Sequence, residues 1–521
     1  MLYNSNAFIL AFLPATLCAF FLARHYLSTQ AALGLLTVAS LVFYGYWDIR
    51  FLPLLIGSIA VNYGVARVMS ARGNRSFLVA GVVLNLGLLA VFKYLNFFVD
   101  SVTDITGIEL TIRQIVLPIG ISFFTFQQIA FLVDRWRGEA DVPSPVNYAL
   151  FVCFFPQLIA GPIVHHREMV RQFEQLPDSR REIFSRFNIG VGLFAVGLIK
   201  KVIIADSLGR FASPLFDRAA QGEQLEAFLA WSAALGYHFQ IYFDFSAYSE
   251  MAMGLALMFG VRLPANFDSP YRSRDIIDFW RRWHMTLSRF LRDYLYYPLG
   301  GNRKGPSRRY ANLMIVMLLG GLWHGAAWTF VLWGALHGFY LMVNHAWRKT
   351  GRNLPTPWIA VLLTNLAVVI AWVTFRADDL PTALSMYRSM LFMNGTALPL
   401  ELSAIIQSVG IDAADFSYFS ENSRTAFYTG LMWILFAFFV AGFWPNTLQV
   451  FGRTPLATDQ DRLERDWAAR RLSGERRFEF SFPFQFGARN TITAVTIGFL
   501  LFVALRELNS AATSEFLYFQ F

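Results

Sequence analysis

Apolar blocks separated by short polar stretches recur along almost the whole chain. Residues 8–23 (FILAFLPATLCAFFLA), 77–92 (FLVAGVVLNLGLLAVF), 358–375 (WIAVLLTNLAVVIAWVTF) and 491–505 (TITAVTIGFLLFVAL) are examples. A helix needs about 20 mostly apolar residues to cross the hydrocarbon core of a bilayer, with a range reaching down to roughly 17. Roughly eleven to thirteen such segments can be counted, some of them reaching that length only with flanking residues or across a break. The pattern predicts an all-α, polytopic integral membrane protein. The first block has no basic residue ahead of it and no clear small-residue cleavage site behind it, so it reads as a retained transmembrane helix rather than a signal peptide.

Composition agrees. The 521 residues are 55% hydrophobic, 17% aromatic and 15% charged, against about 25% charged in average soluble proteins. The net charge of +9 reads as membrane topology rather than nucleic-acid binding, because Lys and Arg mark cytoplasmic loops. Arg24 follows the first block, and Arg67, Arg72 and Arg75 surround the end of the third. The stretches HHREMVRQFEQLPDSRREIFSRF and FWRRWHMTLSRFLRDYLYYPLGGNRKGPSRR are also Arg-rich, whereas the connections near Trp47-Asp48 and over 99–110 are neutral or acidic. This alternation puts the N-terminus outside. The stretch 453–489, with eight arginines and six acidic residues, is expected in the cytoplasm. One further crossing then leaves the tail SEFLYFQF outside, so the number of complete crossings is even. Residues 507–518 could extend about 40 Å, more than the ~15 Å from the surface to the bilayer midplane, so Tyr518 could reach back into an outward-opening funnel. Cys18 and Cys153 lie in apolar runs and read as buried small hydrophobes.

Three stretches carry groups that are costly to keep in or near a bilayer. In LLGGLWHGAAWTFVLWGALHGFYLMV (318–343), His324 and His337 interrupt an apolar run, and ionisable residues in such runs are functional candidates by default. Gly320, Gly321 and Gly325 flank His324 and permit close approach of a substrate or of a neighbouring helix. Thirteen helical steps would not put His337 on the face of His324. In DIIDFWRRWHMTLSRFLRDYLYYPLGGNR (275–303), Phe279, Trp283, Leu287, Phe290, Leu291 and Tyr294 form an apolar stripe. Arg281, Arg282, Arg289 and Arg292 lie elsewhere around it, which predicts an amphipathic helix in the cytoplasmic interface that binds either lipid or a phosphorylated cofactor such as coenzyme A. His284 adjoins the stripe and can point inward. In YHFQIYFDFSAYSEMAMGLALMFG (237–260), Asp244 sits among aromatics and needs a partner or a proton, suggesting a structural or substrate-orienting role. The adjacent histidines of HHRE (165–168) read as a solvated loop rather than a metal site. No P-loop, dinucleotide fingerprint, HExxH or GxSxG is present. The chemistry that stands out is an intramembrane histidine able to deprotonate a hydroxyl for acyl transfer.

The segments PIGISFFTFQ, FFPQLIAGPIV, YFDFSAYSEMAMGLALMFG, FWRRWHMTLSRFLRDYLYYPLGGNR and GGLWHGAAWTFVLWGALHG closely resemble the bacterial membrane-bound O-acyltransferases, nearest the alginate O-acetylase branch, over residues 1 to about 380. The resemblance implies a helical membrane core over 1–380 in which cytoplasmic and outer funnels meet at a central histidine. Membrane helices with an outer loop over 381–444, a cytoplasmic Arg-rich loop over 445–490, a last transmembrane helix over 491–506 and an outer aromatic tail over 507–521 would follow. It puts the family's essential histidine on His324 and its second motif histidine on His284. Trp280, Arg281, Arg282, Asp244, Trp323 and His337 are then expected to bind substrate or cofactor. The implied activity is transfer of acetyl from a cytoplasmic donor, acetyl-CoA, across a bacterial inner membrane with both chain ends periplasmic. The implied partners are a periplasmic serine-hydrolase-like (SGNH-type) acetyltransferase, exopolysaccharide synthesis and export machinery, and membrane lipid, with no nucleic acid. A non-catalytic transporter or scaffold subunit of such a complex is the alternative. The tail's FLYFQF is similar to the C-terminal motif of small membrane peptides of teichoic-acid D-alanylation, in which a tyrosine is a proposed acyl carrier. That makes Tyr518 a candidate carrier, with an interfacial aromatic anchor or the remnant of a tag-cleavage site as the other readings.

Overall fold

The computed structural model describes the chain except residues 71, 109–113, 352–355, 399–407, 409–416, 419–420, 452–455, 473–490, 511–513 and 521, and except the side chains at 421–423, 426, 460, 468, 470–472, 491–493, 518 and 520. Among the described residues the architecture is helical, apart from a two-residue parallel pairing of Ala397–Leu398 with Ser417–Tyr418. Among the described residues, five helices are long and apolar enough to cross a membrane: Ala7–Tyr26, Ile49–Val68, Arg75–Thr106, Arg180–Ala220 and Pro357–Arg376. Thr29–Gly45 and Phe427–Phe443 are shorter apolar helices. Their outward faces carry exposed Leu10, Leu22, Val83 and Leu362, and the helix Thr491–Ser510 carries exposed Phe499 and Phe502, as expected of surfaces solvated by lipid. The Arg-rich loop expected over 445–490 lies partly outside the described residues.

At the centre stands the 32-residue helix Ala227–Met258, nearly all of whose side chains are buried. At 1.5 Å per residue it is about 48 Å long, and Asp244 falls near its midpoint. Glycines let the preceding helix, Arg180–Ile199, lie directly against it. A Cβ at Gly254 would meet the Gly190 carbonyl oxygen at 2.5 Å, and one at Gly197 would meet the Ala247 carbonyl oxygen at 2.7 Å. Small residues at crossing points are the usual route to close packing where lipid supplies no hydrophobic drive.

Arg180–Ile199 then widens into a π-helical turn, Lys200–Ala205, that presents two successive lysines. Lys200 pairs with Glu250 at 2.7 Å, and Lys201 pairs with Asp244 at 2.7 Å and Asp206 at 2.8 Å. A second π-helical turn, Ala90–Tyr94, interrupts the long apolar helix that begins at Arg75 and contains Lys93.

The two chain ends lie together. Asn4 donates to the Ser514 carbonyl at 3.0 Å and Asn6 to Asn509 at 2.8 Å. Arg24, at the far end of the first helix, instead bonds the Pro177 carbonyl at 2.6 Å and Asp178 at 2.8 Å.

Two expectations are corrected. HHRE is not a solvated loop: His166 is buried against Phe131 and Phe151, with ring centroids at 4.7 and 5.5 Å. Burial pushes its imidazole down to about 4, so it stays neutral. His165 contacts Tyr294 Oη at 3.1 Å, and its imidazole is lowered by burial and then by nearby Arg289. Cys153 is buried as expected, but Cys18 is exposed on its helix, facing outward from an apolar run.

The glycine contact gives a direct test. Gly254→Val drives a side chain into the Gly190 carbonyl, and overpacking of this kind costs about 1–3 kcal/mol. Its melting temperature in detergent is expected to fall, whereas Gly87→Ala, where nothing lies within 4 Å of the added carbon, should leave it unchanged or slightly raised.

Candidate active site

His324 is the last residue of the helix Gly305–His324. Gly325 is extended, and the chain returns as Trp328–Lys349, so 318–343 is a helical hairpin rather than one helix. Its glycines serve packing. A Cβ on Gly321 would clash with the Phe330 carbonyl, and one on Gly325 with the Phe330 ring. The break also resets the helical phase. His337 therefore comes back towards His324 through Trp333, whose ring lies 5.1 Å from His324 and 4.8 Å from His337. Phe375, 5.2 Å from His324, closes another side.

His284 also sits at a break. The continuous amphipathic helix expected over 275–303 is replaced by Ile276–Arg282, Met285–Leu291 and a π-helical turn, Arg292–Tyr296. His284 between the first two has φ 41 and ψ 54, a left-handed conformation that costs a non-glycine residue about 1–3 kcal/mol. Asn266 holds it there. Its carbonyl accepts Met285 N–H at 3.0 Å, while its side-chain Oδ1 accepts Thr286 Oγ1 at 2.8 Å and Thr286 N–H at 3.4 Å. Asp268 N–H also bonds the Arg282 carbonyl at 3.0 Å.

Because the Thr286 amide can only donate, the amide orientation of Asn266 is fixed with Oδ1 towards it. The 3.1 Å contact of that oxygen with His284 Nδ1 then assigns the ring proton to Nδ1 and leaves Nε2 as the acceptor. The His284 and His324 rings are 6.3 Å apart. Trp323 bridges them, 6.0 Å from His284 and 4.9 Å from His324.

The C-terminal tail enters this neighbourhood. The last helix is Thr491–Ser510, and residues 514–516, without regular structure, lead into a single turn, Leu517–Gln520. Leu517 N–H donates to Asp244 Oδ2 at 2.9 Å, and Lys201 Nζ donates to the Glu515 carbonyl at 3.0 Å. Phe516 is buried and stacks on Tyr248, with centroids 4.4 Å apart and planes 18° apart. It also lies 5.7 Å from Phe245, whose edge meets His284 at 4.7 Å. Residues 515–517 thus lie against the middle of the central helix, with Phe245 between Phe516 and His284. The side chain of Tyr518 itself lies outside the described residues.

The remaining candidates separate. Trp280 Nε1 donates to His337 Nδ1 at 3.3 Å, so the neutral His337 carries its proton on Nε2. Arg281 is exposed, but Arg282 is buried in an ion pair with Asp278 at 2.8 Å. Arg289 makes a two-pronged pair with Glu168 at 2.6 and 3.0 Å, and Arg292 pairs with Asp293 at 2.8 Å. Of the four arginines expected to present a basic face, three are engaged by carboxylates.

Sequence reasoning passed over Lys93, Lys201 and Asn266. Lys93 and Lys201 are buried cations in apolar surroundings, and that is the signal by which they could have been found.

Comparison with known proteins identifies the family of the chain. The model of the MBOAT, membrane-bound O-acyltransferase family, matches residues 97–376, a range holding Asp244, His284, His324 and His337. A peptidoglycan O-acetyltransferase of Helicobacter pylori is 44% identical over 434 residues, covering 76% of this chain and 81% of the relative. A probable alginate O-acetylase of Pseudomonas putida is 37% identical over 539 residues, spanning 100% of both chains. A teichoic acid D-alanyltransferase of Bacillus subtilis is 28% identical over 272 residues, covering 50% of this chain and 67% of that one. A multi-pass helical acyltransferase, the chain belongs to the membrane-bound O-acyltransferase family.

Proposed function

We propose that the protein takes acetyl from acetyl-CoA on the cytoplasmic side of a bacterial inner membrane and passes it to the hydroxyl of Tyr518 at His324. It then presents the acetylated tail at the periplasmic face for O-acetylation of an exported polysaccharide. The observation that carries this reading is the docked tail, with Leu517 N–H on Asp244 and Phe516 one aromatic contact from His284.

Each element has a part in the chemistry. A phenol ionises near pH 10, well below an alkyl alcohol, so tyrosine is both easier to activate and a better leaving group. His324 takes the phenolic proton as the oxygen attacks the thioester carbonyl. The C–O bond forms, the C–S bond breaks, and the proton passes to the departing thiolate. His284, with its Nδ1 proton held by Asn266, orients the pair. Arg281 is the exposed cation left for coenzyme phosphate, because Arg282 is committed to Asp278. In the second transfer an acceptor hydroxyl, carried by a periplasmic SGNH-type partner, attacks the aryl ester and regenerates the phenol. The two vestibules expected of the family serve these two transfers, one for coenzyme A and one for the tail. The names of the relatives point to peptidoglycan or alginate as the kind of hydroxyl-bearing glycan acted on.

Three outcomes are expected. His324→Ala abolishes polymer acetylation while the protein accumulates normally; retained acetylation would remove the role given to His324. Tyr518→Phe, which removes one oxygen, lowers acetylation on the order of 10²-fold or more, and mass spectrometry of wild-type protein incubated with acetyl-CoA finds acetyl on the C-terminal peptide. Unchanged turnover and an unmodified peptide would leave the tail as an anchor. The triple variant Lys201→Met, Asp206→Asn, Asp244→Leu removes the buried pair together with the charge of Asp206, the lysine's second partner, so that no charge is stranded; such complete replacements are often neutral for stability. It is expected to stay folded, yet to expose the tail to carboxypeptidase digestion and lose acetylation. A tail still protected in that variant would show that the pair does not hold it.

A further inference from the structure

We infer that Lys93 is a positioning residue for His324, fixing the histidine by capping the buried end of the helix that carries it. The inference rests on the proposed role of His324 and goes beyond the stretch matched by the family model, which begins at residue 97.

A helix ends with four carbonyls that have no partner within it. In water they are hydrated. Where the surroundings are apolar each one left bare costs several kcal/mol. The helix Gly305–His324 ends among buried aromatics, and all four of its terminal carbonyls are accounted for. Gly325 N–H reaches Gly321 at 3.4 Å, and Tyr94 Oη donates to Leu322 at 2.9 Å. Lys93 Nζ donates to Trp323 at 2.5 Å and to His324 at 3.1 Å. Three of the four bonds therefore come from two successive residues of another segment. A regular α-helix would point such neighbours about 100° apart. The π-helical turn Ala90–Tyr94 widens the helix where both side chains reach one target, and π-bulges concentrate at functional sites.

The chemistry suits an ammonium. Lys93 is 8% exposed, and its third neighbour is Ser122 Oγ at 3.4 Å, so three acceptors surround three N–H bonds. A cation also complements the partial negative charge of a helix C-terminus. Because one of the bonded carbonyls belongs to His324 itself, a shift of Lys93 shifts the backbone from which the imidazole hangs. Lys93 acts through that backbone and not on the substrate, so its loss falls on the geometry of the reacting pair, where a displacement of about 1 Å can cost on the order of 10²-fold in rate.

The test is the series Lys93→Arg, Lys93→Gln and Lys93→Met in the purified full-length chain, assayed for acetyl transfer from acetyl-CoA and expressed per folded molecule. The expected order of kcat is wild type, Arg, Gln, Met, with Met lowered on the order of 10²-fold and KM for acetyl-CoA within about two-fold throughout. Recovery by Arg, which keeps charge and donors, separates positioning from general loss of structure. Tyr94→Phe, a milder change deleting only the Leu322 bond, is expected to lower kcat several-fold in the same assay. A flat kcat across the series, a loss that resides in KM, or a loss that only follows the amount of folded protein would overturn the inference. His324→Ala run alongside keeps the two claims apart. Activity surviving there sinks the role of His324, whereas loss there beside a flat Lys93 series sinks the positioning alone.

Discussion

Backbone that stops or turns inside an apolar bundle must find hydrogen-bond partners in the protein, and this requirement organises the centre of the molecule. Three interruptions meet there. The helix to His324 ends and is capped by Lys93 and Tyr94. The helix through Arg282 breaks at His284 and is held by Asn266 and Thr286. The C-terminal tail arrives as a chain end and is held by Lys201, Asp244 and Asn4. Each interruption would be prohibitive without its polar side chains, because an unsatisfied peptide group has no water to turn to. Each polar side chain would in turn be costly without an interruption to bond.

Function follows from what the interruptions bring together. Unbroken helices present side chains on faces, at fixed angles, and cannot direct two histidines and a peptide end at one point. The hairpin turn after His324 and the left-handed residue at His284 place the two rings 6.3 Å apart, and the aromatic run Tyr248, Phe516 and Phe245 carries the tail to their edge. Much of the polar inventory of the central helix is spent on this arrangement. Glu250 ties down Lys200, Ser249 lies 3.3 Å from the Asn266 amide, and Asp244 serves a lysine and the tail at once.

The membrane character, the helical class and the candidate status of His324 and Asp244 were legible in the sequence, because a titratable residue in an apolar run is conspicuous; His284 stood out instead by its place beside the apolar stripe of an Arg-rich stretch. The breaks were not. Nothing in the period of Phe279, Trp283, Leu287 and Phe290 reveals that the helix snaps at His284; all four are buried, as the stripe requires, but Phe279 lies on one short helix, Leu287 and Phe290 on the next, and Trp283 in the break between them. The force that breaks it comes from Asn266, in a stretch with no periodicity to read. Lys93 was passed over because it stands just past the end of the apolar block 77–92, where a lysine usually marks topology. His337 was misplaced for a related reason: counting helical steps from His324 assumes a continuous helix, and the chain turns at Gly325. Long-range hydrogen bonds from loops and helix ends decided these cases, and local pattern does not encode them.

The central claim is that the tail comes home to the midpoint of the central helix, beside the histidines. A photoreactive benzoyl-phenylalanine placed at position 516 of the full chain in native membranes measures this directly. Irradiation followed by peptide mapping should attach it to the segment around Phe245 and Tyr248, its two ring neighbours in the fold. Attachment to lipid, or to nothing within Ala227–Met258, would contradict the account.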